Sequence, residues 1–115
     1  MPSVLLIDDD RDYREVLRIF LETRNYQVFE AANGKEGLRA LEKNPVDLVI
    51  TDILMPEQEG LETIQAIRRD RPEQKIIAMS ASEALILRMA QRLGANATYS
   101  KSESLHQLAE MIAKI

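Results

Sequence analysis

The side chains best suited to chemistry in this chain are six polar residues, each of which closely follows a short segment of strand-like composition. They are Asp8, Asp9, Asp10, Asp52, Ser80 and Lys101. Clustered carboxylates repel one another unless a cation compensates their charge. A hard cation such as Mg²⁺ binds oxygen ligands and typically uses one or two carboxylates together with phosphate oxygens. The set therefore predicts a magnesium site, provided that the fold brings the carboxylates together.

The same residues predict phosphoryl chemistry. An aspartate can act as a nucleophile and carry an aspartyl phosphate. A cation, a hydroxyl such as that of Ser80 and an ammonium such as that of Lys101 would neutralise the phosphoryl oxygens. Each residue also has a simpler interpretation: Asp10 or Ser80 as a helix cap, Asp52 as a turn residue before Pro56, and Lys101 as a solvated charge. The combination is more specific than its parts.

Strand-like segments precede these residues. They are Val4–Ile7, Val28–Ala31, Val46–Ile50, Ile76–Met79 and Ala97–Tyr99. The first, third and fourth are almost continuously apolar, which is typical of central strands covered on both faces. The second alternates polar and apolar residues and the fifth is polar, so both are expected at the edges of a sheet.

Five helical patterns alternate with the strand-like segments. Apolar faces mark the first helix with Tyr13, Val16, Leu17 and Phe20, and the fourth with Ile86, Met89, Ala90 and Leu93. Leu85 and Leu87 flank the fourth stripe, which predicts either a partner or self-association surface or half-buried helix edges. Asn33 is expected to begin the second helix, and Gly94 to end the fourth in a left-handed conformation.

Alternating strands and helices predict an α/β fold with a parallel sheet and right-handed crossovers. Ligands of such open sheets bind outside the carboxyl ends of the strands, where the strand order reverses. The six polar residues are therefore expected to converge on one edge of the sheet.

Bulk properties restrict the class of protein. The 115 residues fit a single domain, 1–115, with a net charge of −4 and a pI of about 5.0. This acidity argues against direct contact with nucleic acid. No run is long enough to span a membrane. The chain has no cysteine, which is compatible with the cytoplasmic location that we expect.

Competing motifs fail on inspection. Asp8, Asp10 and Asp12 have EF-hand spacing, but Tyr13 stands where that loop needs glycine and Ile19 where it needs glutamate. The glycines form neither a dinucleotide-binding fingerprint nor a Walker A loop. The single histidine lies within a helical pattern and is expected to be a half-exposed flank residue.

With these residues the chain resembles, over essentially its whole length, the response-regulator receiver family. The matching segments are Val4 to Asp10, Asp52 to Pro56 with Gly60, Ser80-Ala81, Gly94-Ala95, and Tyr99 followed by Lys101. The resemblance implies a flavodoxin-like fold, with a five-stranded parallel sheet of order 2-1-3-4-5 and five helices on both faces.

The resemblance also implies a role for each site residue. Asp52 would be the phosphoacceptor and a Mg²⁺ ligand, Asp9 would bind Mg²⁺ directly and Asp8 through water. The backbone carbonyl of Leu54 would be a further ligand. The family is not made up of enzymes acting on separate substrates; it accepts a phosphoryl group from the phosphohistidine of a sensor histidine kinase or a phosphotransfer protein, and later hydrolyses its own aspartyl phosphate.

Three further residues would complete the switch. By the same resemblance, Ser80 would move toward the phosphoryl group, Lys101 would pair with it, and Tyr99 would swing inward on activation. The surface of the fourth helix, fifth strand and fifth helix would then change and contact an effector or a second copy of the chain.

Two residues depart from the usual pattern of the family. Ser102 replaces the proline usual after the lysine, which makes a cis peptide bond improbable there, and Glu59 replaces the aspartate often found before the glycine. Two alternative functions remain. The first is a pseudo-receiver that is never phosphorylated and serves only as a protein-interaction module. The intact set of site residues argues against it. The second, a Mg²⁺-dependent phosphatase, lacks a general acid or base beside Asp52.

Overall fold

A computed structural model describes residues 1–53, 59–81 and 84–115, which form alternating strands and helices. The strands are β1 (Ser3–Ile7), β2 (Gln27–Ala31), β3 (Leu48–Asp52), β4 (Lys75–Ser80) and β5 (Ala97–Ser100). The helices are α1 (Arg11–Thr23), α2 (Gly34–Lys43), α3 (Glu59–Asp70), α4 (Ala84–Arg92) and α5 (Leu105–Lys114). No helix in these ranges has the length and apolar character that a membrane span requires.

The strands form one parallel sheet in the order β2-β1-β3-β4-β5. This confirms the predicted α/β fold and its strand order. The central strand β3 is buried at all five positions, whereas β2 has exposed residues at two. The prediction that the second and fifth strands lie at the edges is also confirmed, because a strand with only one neighbour needs less apolar cover.

The boundaries of β3 differ from those predicted. The sequence pattern placed the strand at Val46–Ile50, but it runs from Leu48 to Asp52. Before it, the Asp47 carboxylate accepts hydrogen bonds from the backbone nitrogen of Ser3 at 2.7 Å and from its hydroxyl at 3.2 Å. Asp47 thus ties the start of β3 to the start of β1, and Asp52 is the last residue of the strand rather than a residue beyond it.

Side chains of the central strands alternate between two core clusters, one on each face of the sheet. Leu5, Val49 and Ile76 face the cluster that receives Leu41 of α2, Ile64 and Ile67 of α3, and Ala90 of α4. Leu6, Ile50 and Ile77 face the other cluster, which receives Leu17 and Leu21 of α1 and Leu108 of α5. The sheet is therefore covered on both faces, which leaves its carboxyl edge as the place where polar side chains gather.

Helix ends follow their sequence signals. Asp10 caps α1 by accepting from the backbone nitrogens of Asp12 and Tyr13, and Asn33 caps α2, as predicted. Gly94 follows α4 with a φ of 125°, which confirms the left-handed position expected there. Ser104 was not anticipated as a cap, yet it forms a reciprocal capping box with Gln107 at the start of α5.

Two residues predicted on buried helix faces are instead exposed. Val16 of α1 retains 50% of its accessible surface and Met89 of α4 retains 43%. The residue that follows each of them, Leu17 or Ala90, is fully buried. Successive residues are about 100° apart around a helix, so Val16 and Met89 lie to one side of the buried face. Leu87, predicted either to form a partner surface or to be half-buried at the helix edge, is half-buried and packs against the core. The side chain of Leu85, the other predicted flank, lies outside the described residues.

Candidate metal-binding and acceptor site

The fold brings most of the predicted site residues to the carboxyl edge of the sheet. Asp8 directly follows β1, Asp52 and Ser80 are the last residues of β3 and β4, and Lys101 directly follows β5. Strand order reverses between β1 and β3, since β2 lies on the far side of β1. The side chains therefore gather at the position where open parallel sheets bind ligands.

Three carboxylates form a compact cluster at this edge. One oxygen each from Asp8, Asp9 and Asp52 can be chosen so that all three lie within 4.8 Å of one another. Asp8 is fully buried and Asp52 almost so, whereas Asp9 is exposed. Asp10, the last residue of the same acidic run, caps α1 as predicted. The cluster thus has an interior side formed by two buried carboxylates and an open side at Asp9.

The ammonium of Lys101 joins the two buried carboxylates. Its Nζ lies 2.8 Å from Oδ2 of Asp8 and 3.2 Å from Oδ2 of Asp52. Burial lowers the pKa of Lys101, but attraction to Asp8 and Asp52 outweighs this effect and the pKa is raised. The lysine is therefore a stable positive charge beside Asp8 and Asp52.

The donor set of the cluster fits a hard divalent cation. Oδ1 of Asp8 accepts a hydrogen bond from the backbone nitrogen of Asp10 at 2.9 Å. Oδ2 of Asp8 is buried and faces the ammonium of Lys101 at 2.8 Å. A buried carboxylate oxygen beside two further carboxylates is a suitable ligand for Mg²⁺. Leu54, whose carbonyl was expected as a further ligand, lies outside the described residues.

Ser80 is linked to Lys101 through the backbone. Its side chain is fully buried at the end of β4, and its carbonyl accepts a 2.8 Å hydrogen bond from the backbone nitrogen of Lys101. Ser80 is the last residue of β4, and the next described helix, α4, begins at Ala84. The hydroxyl position and the lysine position are therefore set by the same pair of strands.

Tyr99 lies in the interior of the domain. Its side chain is fully buried in the cluster formed with α1 and α5, and its hydroxyl donates to the carbonyls of Glu103 at 2.7 Å and Ser104 at 3.1 Å. The residue predicted to swing inward thus occupies an inward position in this structure, with its hydroxyl bonded to the start of α5.

The turn after β5 takes a form without proline. Every peptide bond in the described ranges is trans, as the sequence predicted for the bond between Lys101 and Ser102. The hydroxyls of Ser100 and Ser102 lie 2.7 Å apart, and the Ser102 backbone nitrogen donates to the Ser100 hydroxyl at 3.3 Å. Two serines on either side of Lys101 thus hold the turn that carries it.

Three further residues support the site; for Tyr13 and Arg14 this role was not predicted from the sequence, and Gly60 was named only as part of the family resemblance. Arg14 donates a 2.6 Å hydrogen bond from Nη1 to the carbonyl of Asp8. The ring of Tyr13 lies below Lys101, with Nζ 4.5 Å from the ring centroid. Gly60 approaches the end of β3 so closely that a Cβ there would overlap the Asp52 carbonyl. The only available signal was the position of Tyr13 and Arg14 one turn after Asp10, on the side facing the site.

Comparisons with known proteins agree with this architecture. The model of the response regulator receiver domain matches residues 4–113. The DNA-binding transcriptional regulator NtrC of Azospirillum brasilense is 38% identical over 84 residues, which are 73% of this chain and 18% of that protein. The probable C4-dicarboxylate response regulator DctR of Bacillus subtilis is 39% identical over 83 residues, 70% of this chain and 37% of that protein. The chain thus spans well under half the length of either relative.

A solved structure gives the same result for the fold. The response regulator protein TrrA from Thermotoga maritima, in complex with Mg²⁺-BeF, is 32% identical and superposes with a TM-score of 0.90. The match covers 99% of this chain and 98% of that one.

Proposed function

Because the chain belongs to the response regulator receiver domain family, we propose that it is a phosphorylation-activated switch whose acceptor is Asp52. The observation that carries this proposal is the Lys101 ammonium, which lies between Asp8 and Asp52 within a cluster of three carboxylates. We further propose that residues 1–115 act as one receiver domain in the cytoplasm.

The environments of the three carboxylates favour Asp52 as the acceptor. Asp8 is fully buried, with one oxygen bonded to the Asp10 backbone and the other against Lys101. Asp9 is exposed and forms the open side of the cluster. Asp52 combines the paired ammonium with a small exposed fraction of 4%. It is therefore held firmly and can still be approached by a phosphoryl donor.

In the proposed reaction, a carboxylate oxygen of Asp52 attacks the phosphorus of a phosphohistidine on a histidine kinase or phosphotransfer protein. The bond from phosphorus to nitrogen breaks, and the imidazole of the donor keeps the electron pair. Lys101 would neutralise the acyl phosphate, since its ammonium already lies 3.2 Å from the acceptor carboxylate. Water later attacks phosphorus, which restores the carboxylate and releases inorganic phosphate.

The acidic cluster would hold a magnesium ion during this reaction. Asp8, Asp9 and Asp52 would hold it, together with the Leu54 carbonyl that the family resemblance implies. The bound ion would offset the charge of the phosphoryl oxygens as they approach three carboxylates. The related TrrA was solved in complex with Mg²⁺-BeF, which supports the same cofactor here.

The signal would leave through α4, β5 and α5. The hydroxyl of Tyr99 in β5 donates hydrogen bonds to the carbonyls of Glu103 and Ser104, which directly precede α5. A movement of Tyr99 would therefore alter the start of that helix. Ser80 would report the phosphoryl group to this region, because its carbonyl is bonded to the backbone of Lys101. The partner of this surface would be an effector or a second copy of the chain.

The test is labelling with a small phosphodonor. Wild-type protein incubated with acetyl phosphate and Mg²⁺ is expected to gain the mass of one phosphoryl group, and Asp52→Asn is expected to gain none while remaining folded. Asp70→Asn is the matched control, because Asp70 is an exposed aspartate that pairs only with Arg69 in the described structure. Equal labelling of Asp52→Asn and wild type would exclude Asp52 as the acceptor, and absence of labelling in wild type would favour the pseudo-receiver.

A further inference from the structure

The phenol ring of Tyr13 forms one wall around the site lysine. Nζ of Lys101 stands 4.5 Å from the centroid of this ring, within the range of a cation–π interaction. Tyr13 lies in the first turn of α1, and its backbone nitrogen donates to the side chain of Asp10 at 3.2 Å. The acidic segment that supplies Asp8 and Asp9 thus also caps the helix that positions the ring.

Lys101 is therefore held by three groups of different chemistry. Asp8 and Asp52 attract the ammonium from the sheet side, at 2.8 Å and 3.2 Å, and the face of Tyr13 attracts it from the helix side. A lysine ammonium is strongly hydrated and sits on a flexible four-carbon chain. Its side chain here keeps only 15% of its accessible surface. An apolar side chain in place of the ring would offer the ammonium no electrostatic attraction.

We propose that Tyr13 is a positioning residue, whose ring face keeps the Lys101 ammonium directed at Asp52 and so speeds acceptance of the phosphoryl group. The inference rests on the proposed function for its kinetic consequence, but the contact itself can be tested without phosphorylation. It assigns a role to a residue of α1 that lies outside the acidic cluster and differs from Ser80 and Tyr99.

The ring, and not the hydroxyl, carries this role. The hydroxyl oxygen of Tyr13 is buried and makes no hydrogen bond of acceptable geometry to the described residues. It lies close enough to Tyr99 for the two side chains to influence each other's pKa, although burial is the larger cause of the raised pKa of Tyr13. Phenylalanine at this position would keep the aromatic face without the buried hydroxyl, whereas leucine would remove the face.

The first measurement is the proton NMR spectrum of the Lys101 side chain, assigned in wild type, Tyr13→Phe and Tyr13→Leu. Protons over an aromatic face resonate upfield, so the terminal methylene protons of Lys101 should lie upfield of those of the exposed Lys114. The upfield shift should persist in Tyr13→Phe and disappear in Tyr13→Leu. A Lys101 signal that coincides with that of Lys114 in wild type, or that is unchanged in Tyr13→Leu, would overturn the proposal.

The second measurement is the initial rate of labelling by acetyl phosphate in saturating Mg²⁺. Tyr13→Leu should be slower than wild type by about 2- to 30-fold, the range that a cation–π contact supports, and Tyr13→Phe should restore most of the rate. Tyr26→Leu is the matched control, because Tyr26 packs against the same core cluster but lies before β2, at the opposite edge of the sheet. An equal loss of rate in Tyr26→Leu and Tyr13→Leu would reduce Tyr13 to a packing residue and contradict the proposal.

Failure of the proposed phosphoryl acceptance by Asp52 can be distinguished from failure of the proposed positioning role of Tyr13. If wild type is never labelled but the ring-current shift of Lys101 is present, the contact stands and phosphoryl acceptance fails. If wild type is labelled and Tyr13→Leu is labelled at the same rate, the positioning role fails while the acceptor site stands.

Discussion

The guanidinium of Arg14 donates a 2.6 Å hydrogen bond to the main-chain carbonyl of Asp8. The same side chain pairs with Glu30 of β2 at 2.9 Å, and its exposed fraction is only 14%. Arg14 therefore joins α1, β2 and the end of β1 at the residue that supplies a buried carboxylate to the site.

We expect Arg14→Met to lower the free energy of unfolding by about 1–3 kcal/mol, because the Asp8 carbonyl loses its charged donor and Glu30 loses one of its two arginine partners. Urea unfolding in the absence of metal measures the change. Arg18→Met is the control: Arg18 pairs with Glu30 and Glu22 at a more exposed position, away from the Asp8 carbonyl, and should cost less than about 1 kcal/mol. Equal losses in the two variants would show that the Asp8 carbonyl does not depend on Arg14.

Asp9 provides the open side of the acidic cluster, and its removal should separate metal binding from stability. We expect Asp9→Ala to weaken Mg²⁺ binding by at least about tenfold, because a ligand and a negative charge are both lost. Without metal the variant should be as stable as wild type or more so, since mutual repulsion in the cluster falls. Calorimetric titration with Mg²⁺ measures the affinity, and Asp12→Ala on α1 is the control. Binding by Asp9→Ala as tight as that of wild type would exclude this metal site.

Gly60 lets α3 approach the end of β3. A Cβ on Gly60 would overlap the Asp52 carbonyl and the Cα of Ile53, which are backbone atoms and cannot move aside separately. We expect Gly60→Ala to cost about 1–3 kcal/mol and to slow labelling of Asp52. Gly37→Ala is the comparison, because its new methyl would overlap side-chain atoms of the buried Ile7 and no backbone atom of the site. A Gly60→Ala variant as stable and as rapidly labelled as wild type would contradict this packing.

Alkaline pH should destabilise the domain through Tyr13 and Tyr99. Burial raises the pKa of Tyr13 and of Tyr99 above the usual value near 10. As pH rises above about 10, the unfolded chain releases these protons before the folded chain does, so stability that is present below pH 10 is progressively lost. Phenolate absorbance should show late ionisation in wild type, and Tyr13→Phe should remove one late step. Ionisation of all tyrosines near pH 10 in the folded protein would contradict the burial of both hydroxyls.

The sequence predicted the fold and the convergence of the polar residues on one edge of the sheet, because both depend on local patterns. Nearly continuous apolar strands indicated the central positions in the sheet, and Asp10, Asn33 and Gly94 marked helix ends through the chemistry of their own side chains or backbone. Parallel topology then brought Asp8 and Asp52 to one edge without further information.

Contacts between distant elements were not predictable in the same way. The positions of Val16 and Met89 depend on the rotation of α1 and α4 against the sheet, which a stripe of apolar residues defines only to within about one residue. The roles of Arg14 and Tyr13 arise because the start of α1 contacts the end of β1, Glu30 of β2 and Lys101 after β5. These contacts join segments far apart in the chain, so no local sequence pattern predicts them. The proposed roles of Ser80 and Tyr99 still rest on the family resemblance and on their placement.

The most direct test of the proposed acceptor is to locate the phosphoryl group itself. Protein labelled with acetyl phosphate and Mg²⁺ is treated with borohydride, which reduces an aspartyl phosphate to homoserine, and the peptides are sequenced by mass spectrometry. We predict homoserine at position 52 alone, and none when Mg²⁺ is removed with a chelator. Homoserine at position 8 or 9 in place of 52, or no reduced residue after full labelling, would contradict Asp52 as the acceptor.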